Sequence, residues 1–318
     1  MEVIVTTPGI SLHHREGRLI ARLNDEEIAS YPFNHIETLI CFSGVHPTEP
    51  VVSSLTGRGG QILFVSGSGR LKSIVSGVRS TGSVQSRLAQ YRFFDRVAER
   101  LYLARQLVSA KVHNLKRFLA ERIKPDFTLD TLTQQVAECG SLAQLRGIEG
   151  SFCRSYFQHL WSLFPGLPAI RRRTSHPSTD GVNQALSFTY TLLYQTAITA
   201  ITAVGLDPFL GFFHNPGYSH AALASDIMET YRAQVVDRVV IRIFHDADFP
   251  QELAATADRR LPPVVIHKLK DAFSARLQTL RTVETEQLTF FQLICRDCAN
   301  LRDYLLRRRF DFNPWKSS

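Results

Sequence analysis

The stretch Gly211-Phe-Phe-His-Asn-Pro-Gly-Tyr-Ser-His-Ala-Ala-Leu-Ala-Ser-Asp-Ile-Met-Glu-Thr-Tyr-Arg232 puts a histidine just before a Pro-Gly turn and two carboxylates just after it. Asn215-Pro216-Gly217 separates His214 from an Ala-rich apolar run, which the pattern predicts to be helical. On a helix, Asp226 and Glu229 stand three residues apart and share one face that can look back toward the imidazole. One more carboxylate from elsewhere would complete a nitrogen and oxygen site for a divalent cation. A structural reading competes with this. His214 beside Phe212 and Phe213 can be a hydrogen-bonded, partly buried side chain, and Glu229 can pair with Arg232 on an exposed face. His220, at or before the helix start, is a further potential ligand.

Glu149 is a candidate for the missing carboxylate. It lies in an otherwise apolar helical stretch with Gly147 and Gly150 around it, small residues that let another element come close. A charge on such a face is costly to bury unless paired or metal-bound. Pairing with Arg146 or Arg154 is the alternative.

The elements that must position these groups fall into two regions. From residue 1 to about 83 the pattern is short and strand-like, with β-rich runs at Val3-Ile4-Val5, Arg18 to Leu23, Ile36 to Phe42 and Gln61 to Val65, and a short helix near Val51 to Leu55. Gly57-Arg-Gly-Gly60 and Gly67-Ser-Gly69 lack the spacing of a nucleotide-binding loop and read as turns. Ser76 to Ser83 is small, polar and Gly-rich, and is the expected boundary. From 84 to 318 apolar residues recur at helical spacing, through Ser86 to Arg122, Leu129 to Val136, Leu142 to Phe164 and Asn183 to Val204. The expected fold class is α+β: a 1–83 β domain followed by an 84–318 mainly α-helical domain that carries the candidate site.

The 318 residues carry 37 Lys and Arg against 29 Asp and Glu, a formal net charge of +8, which suits a polyanionic partner such as nucleic acid. Lys111, Lys116, Arg117, Arg122 and Lys124 lie on one predicted helix and its end. Arg171-Arg172-Arg173 opens a polar loop and Arg307-Arg308-Arg309 closes the last helix. Each cluster can be a solvated face; together they can track a phosphate backbone. No apolar run reaches the roughly 20 residues needed to span a bilayer, and the first residues lack a basic secretory start, so a cytoplasmic location is expected. Five cysteines form no paired framework, and Cys295-Arg-Asp-Cys298 has no second pair near it to build a zinc site.

Blocks along nearly the whole chain resemble one family, the CRISPR adaptation integrase, or Cas-one, which inserts new spacers into a CRISPR array. They are Val5-Thr-Thr-Pro-Gly9, Pro32 to Phe42, Ala89-Gln-Tyr-Arg92, Leu145-Arg-Gly-Ile-Glu-Gly150, Asp180 to Phe188, Val204 to His214, and Asp226-Ile-Met-Glu-Thr-Tyr-Arg232 with Val236-Asp-Arg238. The start and the Ala-Gln-Tyr-Arg block are most similar to the type I-C branch. The loop Asn215 to Ala221 departs from the family's basic approach to the helix, and Ser225 and Ala233 stand where an apolar residue and a proline are usual.

The resemblance implies a β-sandwich-like N-terminal domain that serves dimerisation and a helical domain with Glu149, His214 and Glu229 as ligands of Mg²⁺ or Mn²⁺. Asp226 is implied as a supporting acid. It also implies a homodimer, a small Cas-two dimer as partner, and double-stranded DNA as substrate, joined by attack of a 3′-hydroxyl on a phosphodiester. Arg171, Arg172, Arg173, Lys111 and Arg117 are the expected DNA contacts. A transposon-type integrase with the same site, which tends to carry a further C-terminal extension, and a catalytically silent DNA-binding scaffold are the alternatives.

Overall fold

The computed structural model describes residues 2–67, 70–77, 82–123, 129–164, 181–218, 220–245 and 261–317. The expected boundary at Ser76 to Ser83 lies partly outside them, as do Lys124 and Arg171, Arg172 and Arg173.

The N-terminal region holds β1 (Glu2–Val5), β2 (Ser11–Arg15), β3 (Arg18–Leu23), β4 (Glu26–Pro32), β5 (Thr38–Phe42), β6 (His46–Pro47), α1 (Glu49–Gly57), β7 (Gln61–Val65) and β8 (Leu71–Ser76). They form two four-stranded sheets, ordered β1-β5-β7-β8 and β4-β3-β2-β6. The short helix expected near Val51 is present as α1. The sequence reading missed β2, β4, β6 and β8. Two tight turns make β2, β3 and β4 a meander: Glu16 and Gly17 have φ of 51° and 70°, and Asn24 and Asp25 have 51° and 65°. Positive φ at both central residues is the hairpin geometry whose twist matches the flanking strands.

In the other sheet β1, β5 and β7 are parallel and β8 is antiparallel to β7. All five residues of β5 are buried, as expected for a strand covered on both faces. Leu39, Cys41 and Ile62 join a core with Leu12, Leu19, Val51 and Leu55, while Ile40, Phe42, Leu63 and Val65 face the helices. Phe42 meets Phe291 edge-on with ring centroids 5.0 Å apart. Thr38 Oγ1 and Gln61 Nε2 donate to the Ala203 carbonyl at 3.0 and 2.8 Å.

The helical region comprises α2 (Gly82–Phe94), α3 (Val97–Ala120), α4 (Leu129–Glu138), α5 (Leu142–Trp161), α6 (Gly181–Ala203), α7 (Ala222–Arg232), α8 (Arg238–Phe244), α9 (Pro263–Leu277) and α10 (Phe290–Leu305). A π-helical segment, Ala233–Asp237, joins α7 to α8. A hairpin unforeseen in the sequence, β9 (Leu280–Val283) with β10 (Glu286–Thr289), leads into α10, whose start is a capping box of Thr289 and Gln292. Cys295 and Cys298 are buried on α10 and form no disulfide among the described residues. The helices α3 and α7–α8 run parallel: Lys111 meets Glu229, Asn114 Nδ2 donates to Thr230 O at 2.8 Å, and Arg238 pairs with Glu121.

The C-terminal tail crosses this helix pair. Trp315 stacks on Tyr231 with centroids 5.4 Å apart and planes 6° off parallel. Asp297 on α10 accepts from Tyr231 OH at 2.6 Å and from the Trp315 amide at 2.9 Å. Burial pushes the Asp297 carboxyl up to about 6 from the ordinary 3.8, against both hydrogen bonds. Because the folded value is the higher one, this group's contribution to stability is full below pH 3.8 and is lost as pH rises through about 6. Asp297→Asn keeps an acceptor for both donors and removes the titration. Its unfolding free energy should therefore lose up to about 3 kcal/mol less than the wild type's over that rise. Melting curves taken at several pH values check this; parallel profiles would mean that Asp297 does not titrate there.

Candidate active site

Asp226 sits on α7 and is almost fully buried, which its charge tolerates because four donors surround it. Oδ2 accepts from the amides of Phe212 and Phe213 at 2.6 and 3.0 Å; Oδ1 accepts from the His214 amide at 2.9 Å and lies 2.7 Å from His214 Nδ1. The chain must pass very close for this. A Cβ on Gly211 would lie 2.7 Å from the Ala222 carbonyl carbon and 2.8 Å from Asp226 Oδ2, so a side chain is excluded there. Burial works against charge on the His214 imidazole, but the Asp226 carboxylate outweighs it and the pKa is raised. With Nδ1 held by a carboxylate, Nε2 is the nitrogen left for a ligand.

One turn on, Glu229 Oε2 lies 2.7 Å from Lys111 Nζ and 2.9 Å from Arg232 Nη1. Lys111, on α3, also pairs with Glu149 on α5, whose Oε1 accepts from Cys153 Sγ at 3.2 Å. Two carboxylates from separate helices thus converge on one ammonium. Burial opposes ionisation of both acids, yet Arg232 and Lys111 pull Glu229 well below the usual range and Lys111 lowers Glu149. Burial also disfavours the Lys111 charge, and Glu229 and Glu149 more than restore it. Lys111, Glu229, Asp226 and His214 line a small cavity of about 10 Å³ with Leu107, Val108 and Phe213.

Behind Glu229, Arg232 Nη2 donates to Tyr190 OH at 3.0 Å, and its guanidinium lies 4.6 Å from the Tyr190 ring centroid and 5.2 Å from that of Phe157. Tyr190 and Tyr156 both donate to Asp237, at the end of the π segment. Burial raises the Asp237 carboxyl and the two hydroxyls hold it. On the other side, Arg100 Nε donates to Phe212 O at 3.0 Å, and Arg146 Nη2 to Phe213 O at 2.9 Å and Asn215 Oδ1 at 2.7 Å, tethering the loop that bears His214.

The structure therefore brings Glu149, His214, Asp226 and Glu229 together. Glu149 pairs with Lys111 rather than with Arg146 or Arg154, and neither Asp226 nor Glu229 is on an exposed face. The expectation that Lys111 contacts DNA from an outer surface is corrected. At 3% exposure its ammonium is committed to two half-buried carboxylates, and Lys116 is buried as well. Arg117 is exposed. His220 stacks on Tyr194 and its ring centroid is 6.4 Å from that of His214, with Nε2 3.3 Å from Ser225 Oγ. Among the described residues no three His, Cys, Asp or Glu are already drawn to metal distance; the Lys111 ammonium occupies the point where Glu149 and Glu229 meet.

Fold and site together define an α+β protein whose helical part gathers two carboxylates and a carboxylate-oriented imidazole around one buried cation. The family model for "CRISPR associated protein Cas1" matches residues 3–259. The chain belongs to that family. It is 32% identical over 251 residues to a CRISPR-associated endonuclease Cas1 of Francisella tularensis subsp. novicida, covering 76% of this chain and 78% of that protein. Its fold matches a casposase bound to integration product with a TM-score of 0.84 at 22% identity, over 100% of this chain and 99% of that one. A partial Cas6-RT-Cas1–Cas2 complex matches with a TM-score of 0.83, also at 22% identity, over 100% and 99% of the two chains. Among the described residues no helix is long and apolar enough to cross a membrane.

Proposed function

We propose that this chain is a metal-dependent DNA endonuclease and integrase of CRISPR adaptation, which joins the 3′-hydroxyl of a spacer end to the array by transesterification. The observation that carries the reading is the convergence of Glu149 and Glu229 on the Lys111 ammonium, with His214 lining the same small cavity as Lys111 and Glu229. Membership of the Cas1 family supports it. The Lys111 ammonium stands in for the cation that this donor set would hold, and two carboxylates with one imidazole suit Mg²⁺ or Mn²⁺. Glu149, His214 and Glu229 would be the ligands. Such an ion, when bound, polarises the scissile phosphate and lowers the pKa of the attacking hydroxyl. Asp226 fixes the imidazole and the 212–214 backbone, and Arg232, itself held by Tyr190, fixes Glu229.

On this reading the substrate is double-stranded DNA, the working unit is a homodimer joined by a Cas2 dimer, and the location is cytoplasmic. The net charge of +8 suits the substrate. A half-site integration assay with Mn²⁺, a labelled spacer end and a supercoiled plasmid bearing a CRISPR repeat tests it. Joined product that depends on the repeat is expected. Joining without preference for the repeat would favour a transposon-type integrase, and DNA binding without joining would leave only a scaffold.

A further inference from the structure

A cavity of about 550 Å³ opens between α8 and α9, lined in part by Arg238, Arg242, Lys268 and Arg276. Among the described residues that line it, Asp271 is the single carboxylate. The surroundings add more positive charge in an ordered arrangement. Arg122 and Arg238 both lie over the Phe118 ring, 3.9 and 5.7 Å from its centroid, and Arg276 and Arg281 both lie by the Phe290 ring, at 4.6 and 5.4 Å. Glu121 pairs with Arg122 and Arg238. Arg276 spends Nε on the Gln234 carbonyl at 2.8 Å, and its buried Nη2 has no hydrogen-bond partner among the described residues.

Glu121 offsets the repulsion between Arg122 and Arg238, but holding Arg276 close to Arg281 and Arg238 costs free energy unless a further anion joins them. Burial, with Arg281 and Arg238 alongside, lowers the Arg276 guanidinium to about 9. Stacking on Phe118 and Phe290 holds the planar groups in fixed directions, so little freedom is lost when a bidentate acceptor arrives. None of these cations belongs to the carboxylate site. Arg238 follows Glu229 by nine residues on the α7–α8 run, roughly 13 Å by helical rise. A duplex covers that distance in about four base pairs.

We infer that the α8–α9 cavity is a second anion site that grips backbone phosphates of the DNA flanking the reacting bond, with Arg242 and Lys268 at its exposed rim and Arg276 at its floor. This rests on the reading of the chain as a DNA-acting enzyme. Its selectivity is for phosphodiester charge rather than base sequence, because guanidinium forks and an ammonium match phosphate oxygens and read no base edge.

The test uses the whole chain with Arg242→Ala/Lys268→Ala, two exposed positions outside the carboxylate site, and the charge-keeping Arg242→Lys/Lys268→Arg, each checked for its fold by circular dichroism. Fluorescence anisotropy with a labelled duplex over a range of salt should show the alanine pair binding roughly tenfold more weakly, with a salt slope shallower by about 2. The charge-keeping pair should match the wild type. Wild-type binding with the same affinity and slope in the alanine pair overturns the inference, and selective loss of poly-glutamate peptide binding in that variant would reassign the cavity to an acidic protein partner. A wild type that binds no duplex at all overturns both this inference and the reading on which it rests.

Discussion

Changing Glu149, His214 or Glu229 to Ala is expected to abolish the proposed metal-dependent strand transfer in each single variant, a loss well beyond the 10- to 100-fold typical of groups that only support a ligand. Each change deletes one of the three proposed donors, which come from different helices or loops, and among the described residues no neighbouring acid is placed to substitute. Asp226 cannot, because both its oxygens are committed to the 212–214 amides and the imidazole. Duplex affinity should survive, since on the proposed reading it rests on cations elsewhere. For Glu229 the alanine variant has a second consequence. The buried cations Lys111 and Arg232 both lose a half-buried partner, at a cost of up to about 3–5 kcal/mol. Glu229→Gln is the sharper probe, because it keeps the volume and one acceptor oxygen while removing the charge. Half-site joining with Mn²⁺, read beside anisotropy on the same duplex, measures both quantities. Full joining activity in any one of the four variants would sink the ligand assignment.

The acids were legible because their spacing is local. Asp226 and Glu229 sit one turn apart on a helix announced by its Pro-Gly approach, and Glu149 stands out as a charge in an apolar stretch. What Asp226 does was not legible, because the amides it accepts from are brought back by a turn that only Gly211 permits. Lys111 was misplaced for a related reason. A lysine on a long basic helix reads as solvated, and its partners lie 38 and 118 residues away in sequence. A signal was nonetheless present, since Leu107, Lys111 and Leu115 follow at intervals of four and put the ammonium on the apolar stripe.

In the N-terminal region the apolar strands were visible and the half-exposed ones were not. Glu16-Gly17 and Asn24-Asp25 are two-residue turn signals that mark β2 and β4 when read together with β3. The parallel pairing of β1, β5 and β7 depends on contacts far apart in sequence, although the unbroken apolar run Leu39 to Phe42 already fits a strand covered on both faces. The π segment Ala233–Asp237 had no sequence signature that the helical period could reveal. The Arg232, Tyr190 and Asp237 contacts flank it.

Replacing Lys111 by Met separates the two roles its ammonium can have. In the absence of divalent metal the variant leaves Glu149 and Glu229 facing one another with Arg232 as the remaining partner of Glu229, and a buried pair broken on one side costs about 3–5 kcal/mol. The metal-free melting temperature should therefore fall by several degrees. With Mn²⁺ added the order of effects reverses. In the wild type an incoming ion must displace an ammonium that both carboxylates hold in its charged form, so it cannot be cleared by deprotonation near neutral pH. In Lys111→Met that competitor is gone, and Mn²⁺ should bind at least about tenfold more tightly, which adds about 1.4 kcal/mol to its stabilisation of the fold at saturating metal. The variant's melting temperature should thus rise more with Mn²⁺ than the wild type's, a comparison that needs no catalysis. If Lys111 only buttresses the helices, the variant will be destabilised by the same amount with and without Mn²⁺, and calorimetric titration will return the wild-type affinity. That result would remove the ammonium as the stand-in for a metal ion and leave the convergence of Glu149 and Glu229 as a structural ion pair.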